Sequence, residues 1–152
     1  MSPKMTQDFK VNLDKIKHDS THPRMKALNK LIKDTPLTYT PQALQTVDIG
    51  YGGAGTGHVQ CTKDGEMAVS CALLYLATNV VGYADMAILI IKKWSEVNKV
   101  WKGDNALLEA SWSVCSMARA AELLKHAKDV SVRAKWNDVE PMFFKWLDEI
   151  IM

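Results

Sequence analysis

No apolar run in this sequence is long enough to cross a membrane. The longest, Met67 to Val81, is interrupted by Ser70, Thr78 and Asn79 and falls short of the roughly 20 residues a spanning helix needs. No secretory leader is visible either: the opening MSPKMTQDFKVNLDKIKHD carries charges where an apolar h-region would stand. This predicts either a protein that stays where it is made or a chain shown without its leader. Cysteine is scarce. Cys61, Cys71 and Cys115 are odd in number and too few for a disulfide scaffold. Cys71 and Cys115 fall within apolar helical patterns and are expected to be buried thiols. Cys61, among polar neighbours, is the one expected to be exposed or bridged. A strong charge bias is also missing. Nineteen Lys and Arg against seventeen Asp and Glu give a net charge of +2, which argues against a protein that coats nucleic-acid phosphates. Hydrophobic content of 47% excludes disorder as the main state.

What remains is one domain's worth of helix-forming sequence, 152 residues long. Its charge is uneven: residues 1–35 hold eight Lys and Arg against four Asp, the rest eleven against thirteen. Residues 1–22 read as a peripheral basic segment. A solvated helix face explains that excess, and attraction to an anionic partner is the sharper reading. Met5 to Lys17 places Phe9, Leu13 and Ile16 on one side of a helix. Thr21-His22-Pro23 marks the start of the next, with proline in its first turn. Pro36 and Pro41 then break regular structure, leaving Leu37 to Thr40 extended.

Residues 42–63 predict a long irregular stretch containing GYGGAGTGHVQCT. Beyond it, Asp64 is placed to cap a helix that is apolar on nearly every side. Tyr83, Ala87, Ile90, Trp94, Val97 and Trp101 recur at steps of three and four, one helical face, with Gly103 as its stop. Asp104 or Asn105 would cap the following helix, whose stripe is Leu107, Ala110, Val114, Met117, Ala121 and Leu124, closed by His126 and Lys128. After a charged linker, Asp129 to Lys135, Asn137 would cap a last helix with Pro141 in its first turn and Val139, Phe143, Trp146 and Ile150 as its stripe. The fold class is all-α, with one long glycine-rich loop.

Few motifs carry chemistry. Gly50-x-Gly52-x-x-Gly55 spells the dinucleotide fingerprint, but the fingerprint needs a strand before it and a helix opening on it within a βαβ unit. Here the helix is expected nine residues later and no parallel sheet is expected. A loop that lets backbone approach another group closely is the better reading. His58-x-x-Cys61 lacks a second pair at metal spacing, so no metal site is expected. His58 reads as a polar loop residue, or as an acid, base or uronate contact in a cleft-facing segment. Tyr51 stands in the same loop. Arg119 reads as a structural partner of Glu122, Asn105 as a helix cap, and Trp94, Trp101 and Trp112 as core.

Residues 105–122 read N-A-L-L-E-A-S-W-S-V-C-S-M-A-R-A-A-E. This resembles the alginate-lyase-like superfamily of polysaccharide lyases, where a helix reads approximately N-A-x-L-Q-x-x-W-x-G-x-x-x-x-R-A-A-E. The preceding Y-A-D-M-A-I-L-I-I-K-K-W-S resembles that family's Ala-Ile-x-Ile run ending in W-S. Tyr39-x-Pro41 and the loop through Gly57, Cys61, Thr62 and Asp64 resemble its Y-x-P segment and Gly-Cys-Thr loop. Order and spacing agree from about residue 23 to 152.

The resemblance implies an (α/α) toroid of antiparallel helix hairpins, here incomplete, around a groove for an acidic polysaccharide. It implies β-elimination on uronic-acid polymers such as alginate or glucuronan, without a cofactor. That chemistry needs a group to neutralise the uronate carboxylate, a base for the C5 proton and an acid for the departing O4. The resemblance makes Asn105, Arg119, His58 and Tyr51 candidate substrate contacts, and His58 and Tyr39 candidate catalytic groups. The sequence departs from the family pattern at Glu109, where the family has Gln, and at Val114, where it has Gly. The family's later His and Tyr residues would lie past Met152. Two expectations follow. One is the N-terminal part of a lyase acting on or binding acidic polysaccharide. The other is a catalytically inactive, lyase-derived binding or structural protein of a larger assembly such as a virus particle. Either way the ring would be completed by more of the same chain or by other protein chains. The family is usually extracellular, while a virion component would need no leader.

Overall fold

Apolar side chains at steps of three and four dominate the second half of the sequence, and helices follow from them. The computed structural model describes residues 3–51 and 55–151. Among these the elements are α1 (Pro3–Ile16), α2 (Pro23–Asp34), β1 (Thr46–Asp48), α3 (His58–Thr78), α4 (Val81–Val97), β2 (Val100–Lys102), α5 (Ala106–Lys125) and α6 (Val130–Ile151). The chain is mostly helical. No described helix is long and apolar enough to cross a membrane.

Helix α3 is central because it is apolar on most sides. It packs on α4 and α5, and α6 packs on α4 and α5 in turn. Where α3 meets α5, Gly65 brings the backbones close: a Cβ there would lie 3.1 Å from the Ser113 carbonyl oxygen. Thr62 Oγ1 donates to Ser113 Oγ at 3.0 Å across the same contact. The buried residues of α6, Val132, Trp136, Val139, Phe143, Trp146 and Ile150, alternate at steps of four and three and form one continuous stripe. That stripe lies on α4 and α5. Helices α1 and α2 rest against α3, leaving between them an apolar cavity of about 450 Å³ floored by Leu73 and Ala77.

Several expected boundaries move. Helix α3 begins at His58, so Asp64 is an interior residue of it and no cap. Helix α4 ends at Val97, and Trp101 belongs to strand β2. Strands β1 and β2 pair in parallel, with Val47 opposite Trp101, where no sheet was expected. Strands of three residues are too short to show the alternation that marks a strand in sequence. Helix α6 begins at Val130, where the expected linker lay. Its cap is Asp129, whose Oδ1 accepts from the Ser131 and Val132 N–H groups at 2.8 and 3.2 Å. Asn137 and Pro141 thus lie inside the helix, and proline there removes one backbone donor from the ladder. Residues 36–39 form a turn closed by Tyr39 N–H to the Pro36 carbonyl at 3.2 Å, not an extended run. The cysteines exchange places: Cys61 is fully buried and Cys115 is exposed.

Candidate functional site

The densest polar arrangement centres on Asp64, which sequence reasoning treated as a cap. Its side chain is fully buried in the second turn of α3. Oδ2 accepts from Trp94 Nε1 at 2.7 Å and from the Gln42 N–H at 2.9 Å. Oδ1 accepts from Gln60 Nε2 at 2.7 Å and from the Tyr39 hydroxyl. The carboxylate thus fastens the 36–42 turn and helix α4 to α3. A buried carboxylate with four donors on its two oxygens is well satisfied without a cation. Tyr39, a candidate base, is here the donor to Asp64. Burial first, and then the hydrogen bond and negative charge of Asp64, push its pKa up.

The thiols nearby behave alike. Burial, with the Asp64 charge adding to it, pushes Cys61 up, and burial pushes Cys71 up to about 12. All three groups hold their protons more tightly folded than unfolded. Below the ordinary thiol value of 9.0 they are protonated in both states, and their contribution to stability is fully present. As pH rises past it the unfolded chain ionises first, so that contribution is lost. The urea midpoint is therefore expected to fall between about pH 8 and about pH 10.5, and to fall less in Cys61→Ala. An equal fall in that variant would assign the loss to other groups.

The glycine-rich loop is fastened at its ends. Asp48 and Thr56 exchange backbone hydrogen bonds at 3.0 and 2.5 Å, and the Gly55 N–H donates to the Ile49 carbonyl at 2.7 Å. Asp48 also accepts from the Gly50 N–H at 2.9 Å and pairs with Lys102 at 3.1 Å. Lys102 first, and then Gly50, hold the Asp48 carboxyl below the usual range. Gly52, Gly53 and Ala54, with the middle of the dinucleotide-like spelling, lie outside the described residues. The helix after the loop begins three residues beyond Gly55, not nine. Even so, Gly55 packs back on the end of strand β1, with a built Cβ 1.8 Å from the Asp48 carbonyl oxygen, and two helices separate β1 from β2. The glycine serves the loop itself. Tyr51 is 89% exposed. His58 is half-buried at the first position of α3, and its Nδ1 is buried without a hydrogen-bond partner. Among the described residues, no three His, Cys, Asp or Glu side chains gather closely enough to hold a metal ion.

The third feature is the outer face of α5. Ala110, Val114, Met117, Ala121 and Leu124 point inward. Trp112 and Arg119 are exposed and stand seven residues apart, about 10.5 Å along the helix axis, and the exposed Asn105 precedes the helix. Trp112, expected in the core, is 63% exposed. Its offset of two from both Ala110 and Val114 turns it to the opposite side, and that phase was the available signal. Trp94 is fully buried as expected, while Trp101 is half-buried and donates to Asn98 Oδ1 at 2.8 Å. Asn105 does not cap α5 through its side chain; its backbone is left-handed, with φ of 59°. The expected Arg119–Glu122 pair is not formed: Glu122 bonds His126 Nε2 at 3.2 Å. Leu108 and Cys115 lie exposed between the three. Trp112 and Arg119 thus share one exposed face of α5, with Asn105 exposed just before its first turn. Comparison of the chain with protein-family models, curated proteins and solved structures finds no match.

Proposed function

We propose that this chain is a polysaccharide-lyase-like helical domain that binds an acidic, uronic-acid polysaccharide along the outer face of α5. The observation that carries the reading is the exposed Trp112 on one helical face with Arg119, with Asn105 exposed just before the helix. An exposed indole offers a flat apolar face to a sugar ring. The Arg119 guanidinium matches a carboxylate with two parallel donors, and the Asn105 amide can serve hydroxyls. The packing of α3 on α4 and α5, and of α6 on the same two helices, is what two helix hairpins side by side would give, as in part of an (α/α) toroid. Further helices, from more of the chain or from other protein chains, would complete the ring and the groove.

In a complete enzyme, Arg119 neutralises the uronate carboxylate; the base for the C5 proton must reach the same sugar ring, and His58, at the start of α3, does not stand beside Arg119 on the outer face of α5. A second reading is favoured by one observation: Tyr39 gives its hydroxyl to Asp64 and has its pKa pushed up, which makes it a poor base. In that reading the protein is an inactive, lyase-derived binding or structural component of a larger assembly, such as a virus particle.

Titration calorimetry with oligouronates tests the binding claim. Arg119→Ala and Trp112→Ala are each expected to weaken binding about tenfold, equivalent to about 1.4 kcal/mol. The Arg119 effect is expected to shrink at high salt. Equal binding of a neutral oligosaccharide, or unchanged affinity in both variants, would overturn the assignment. Absorbance from the unsaturated elimination product separates the two readings. Its appearance supports the enzyme; binding without product supports the inactive form.

A further inference from the structure

Helices α1, α2 and α3 turn apolar faces toward one another without closing on them. Phe9, Leu13 and Ile16 recur at steps of four and three on α1, and Arg24, Leu28 and Leu31 do the same on α2. Both sets line the cavity of about 450 Å³ above Leu73 and Ala77 of α3. That volume falls within the roughly 300–1,000 Å³ of small-molecule sites. The cavity is open to solvent, since Phe9 is exposed and α2 has no buried residue. Among the described residues, Arg24 is the one charged residue that lines it. Arg24 donates its backbone N–H to His22 Nδ1 at 3.2 Å. Its guanidinium has no ion pair or hydrogen bond among the described residues.

The place of that charge narrows the ligand. Arg24 stands in the first turn of α2, which holds no acidic residue, and the positive end of a helix disfavours a cation. An anion there is favoured by the guanidinium and the helix dipole together. The rest of the groove is hydrocarbon. Its walls leave the hydroxyls of a sugar without partners, and a cationic amphiphile meets repulsion at Arg24. From Arg24 to Leu31 is seven residues, about 10.5 Å along α2. An extended alkyl chain, with bonds of about 1.5 Å at about 111°, advances about 1.25 Å per carbon, so roughly eight carbons cover that span. We infer that the α1–α2–α3 cavity is a site for a single-chain carboxylate of about ten carbons, its head on the Arg24 guanidinium and its tail along Leu28 and Leu31. It stands apart from the uronate reading, since Asn105, Trp112 and Arg119 do not line it.

Titration calorimetry of the full chain with decanoate, kept below the concentration at which it forms micelles, tests this. Saturable one-to-one binding with a Kd on the order of 0.1 mM is expected. Decylammonium carries the same tail on the opposite charge, and is expected to bind about tenfold more weakly or worse. Arg24→Gln, at an exposed position, is expected to raise the Kd for decanoate about tenfold and to narrow the gap between the two amphiphiles. Ala77→Phe, which fills the floor of the cavity, is expected to weaken decanoate by about tenfold or more. Arg24→Gln carries the test should Ala77→Phe not fold. Uptake that does not saturate, equal binding of decylammonium by the wild-type chain, or a Kd unchanged in Arg24→Gln would overturn the proposal. So would self-association that Ala77→Phe abolishes, without decanoate binding, which would give the cavity to a second copy of the chain.

Discussion

Asp64→Ala is expected to lower folding stability by about 3–5 kcal/mol, because it strands several buried donors at once. The Trp94 indole, the Gln42 backbone N–H, the Gln60 amide and the Tyr39 hydroxyl all lose their acceptor together. Asp64 and Trp94 are both fully buried, so water does not readily take the carboxylate's place. Asp64→Asn keeps the shape but turns an NH₂ group toward two of the four donors. A smaller loss, about 2–3 kcal/mol, is expected there. Urea denaturation checks both: at a slope of about 1–3 kcal/mol/M, the alanine variant's midpoint falls by roughly 2 M. Tyr39→Phe in each background closes a double-mutant cycle. Strong coupling in the wild-type background and none in Asp64→Ala is the expected pattern. An alanine variant losing less than about 1 kcal/mol would show that the 36–42 turn is fastened by something else.

The Asp64 node also shows why part of this molecule was legible in sequence and part was not. Long amphipathic stripes declare themselves: Val139, Phe143, Trp146 and Ile150 read as one face and are one face. Pairing through a single polar atom leaves no period. The donors to Asp64 come from residues 39, 42, 60 and 94, and no local pattern links those positions. A buried Asp and a capping Asp look alike when each precedes an apolar run. The same ambiguity moved the start of α6, where Asp129 and Asn137 are both acceptable caps by composition. Proline at 141 tipped the reading toward the later one, because interior proline is costly. Of the candidate contacts, Asn105 and Arg119 are both exposed, one just before α5 and one within it. Trp112 was missed because a large aromatic in an apolar helix reads as core unless its phase is compared with its neighbours. The missed sheet had no readable length. Its order depends on contacts between segments some fifty residues apart.

The loop that ends in His58 supplies the second large effect, Gly55→Ala. The Cβ of alanine would stand 1.8 Å from the Asp48 carbonyl oxygen and 2.2 Å from the Ile49 carbonyl carbon. Both are backbone atoms, so no side-chain rotation relieves the clash. Strand β1 and the Gly55–Thr56 segment must separate, which breaks the Asp48–Thr56 exchange and the Gly55–Ile49 bond. Those three hydrogen bonds at about 0.5–1.5 kcal/mol each, together with overpacking, give an expected loss of roughly 3 kcal/mol. The loss is expected to be local in character. Val47 and Ile49 share the buried cluster with α3–α6, but the helices supply most of that cluster, so helical content is expected to persist while the short sheet opens. Amide hydrogen exchange distinguishes the cases: protection at residues 46–48 and 100–102 falls sharply, and protection within α4 and α6 falls only in step with global stability. Uniform loss of protection would show that the sheet and the helices unfold as one unit. The variant also tests the extent of the proposed uronate surface. A uronate ligand held by Trp112 and Arg119 alone keeps its affinity in Gly55→Ala. One that also reaches Tyr51 or His58 loses affinity in that variant, and the size of the loss measures how far the groove extends beyond α5.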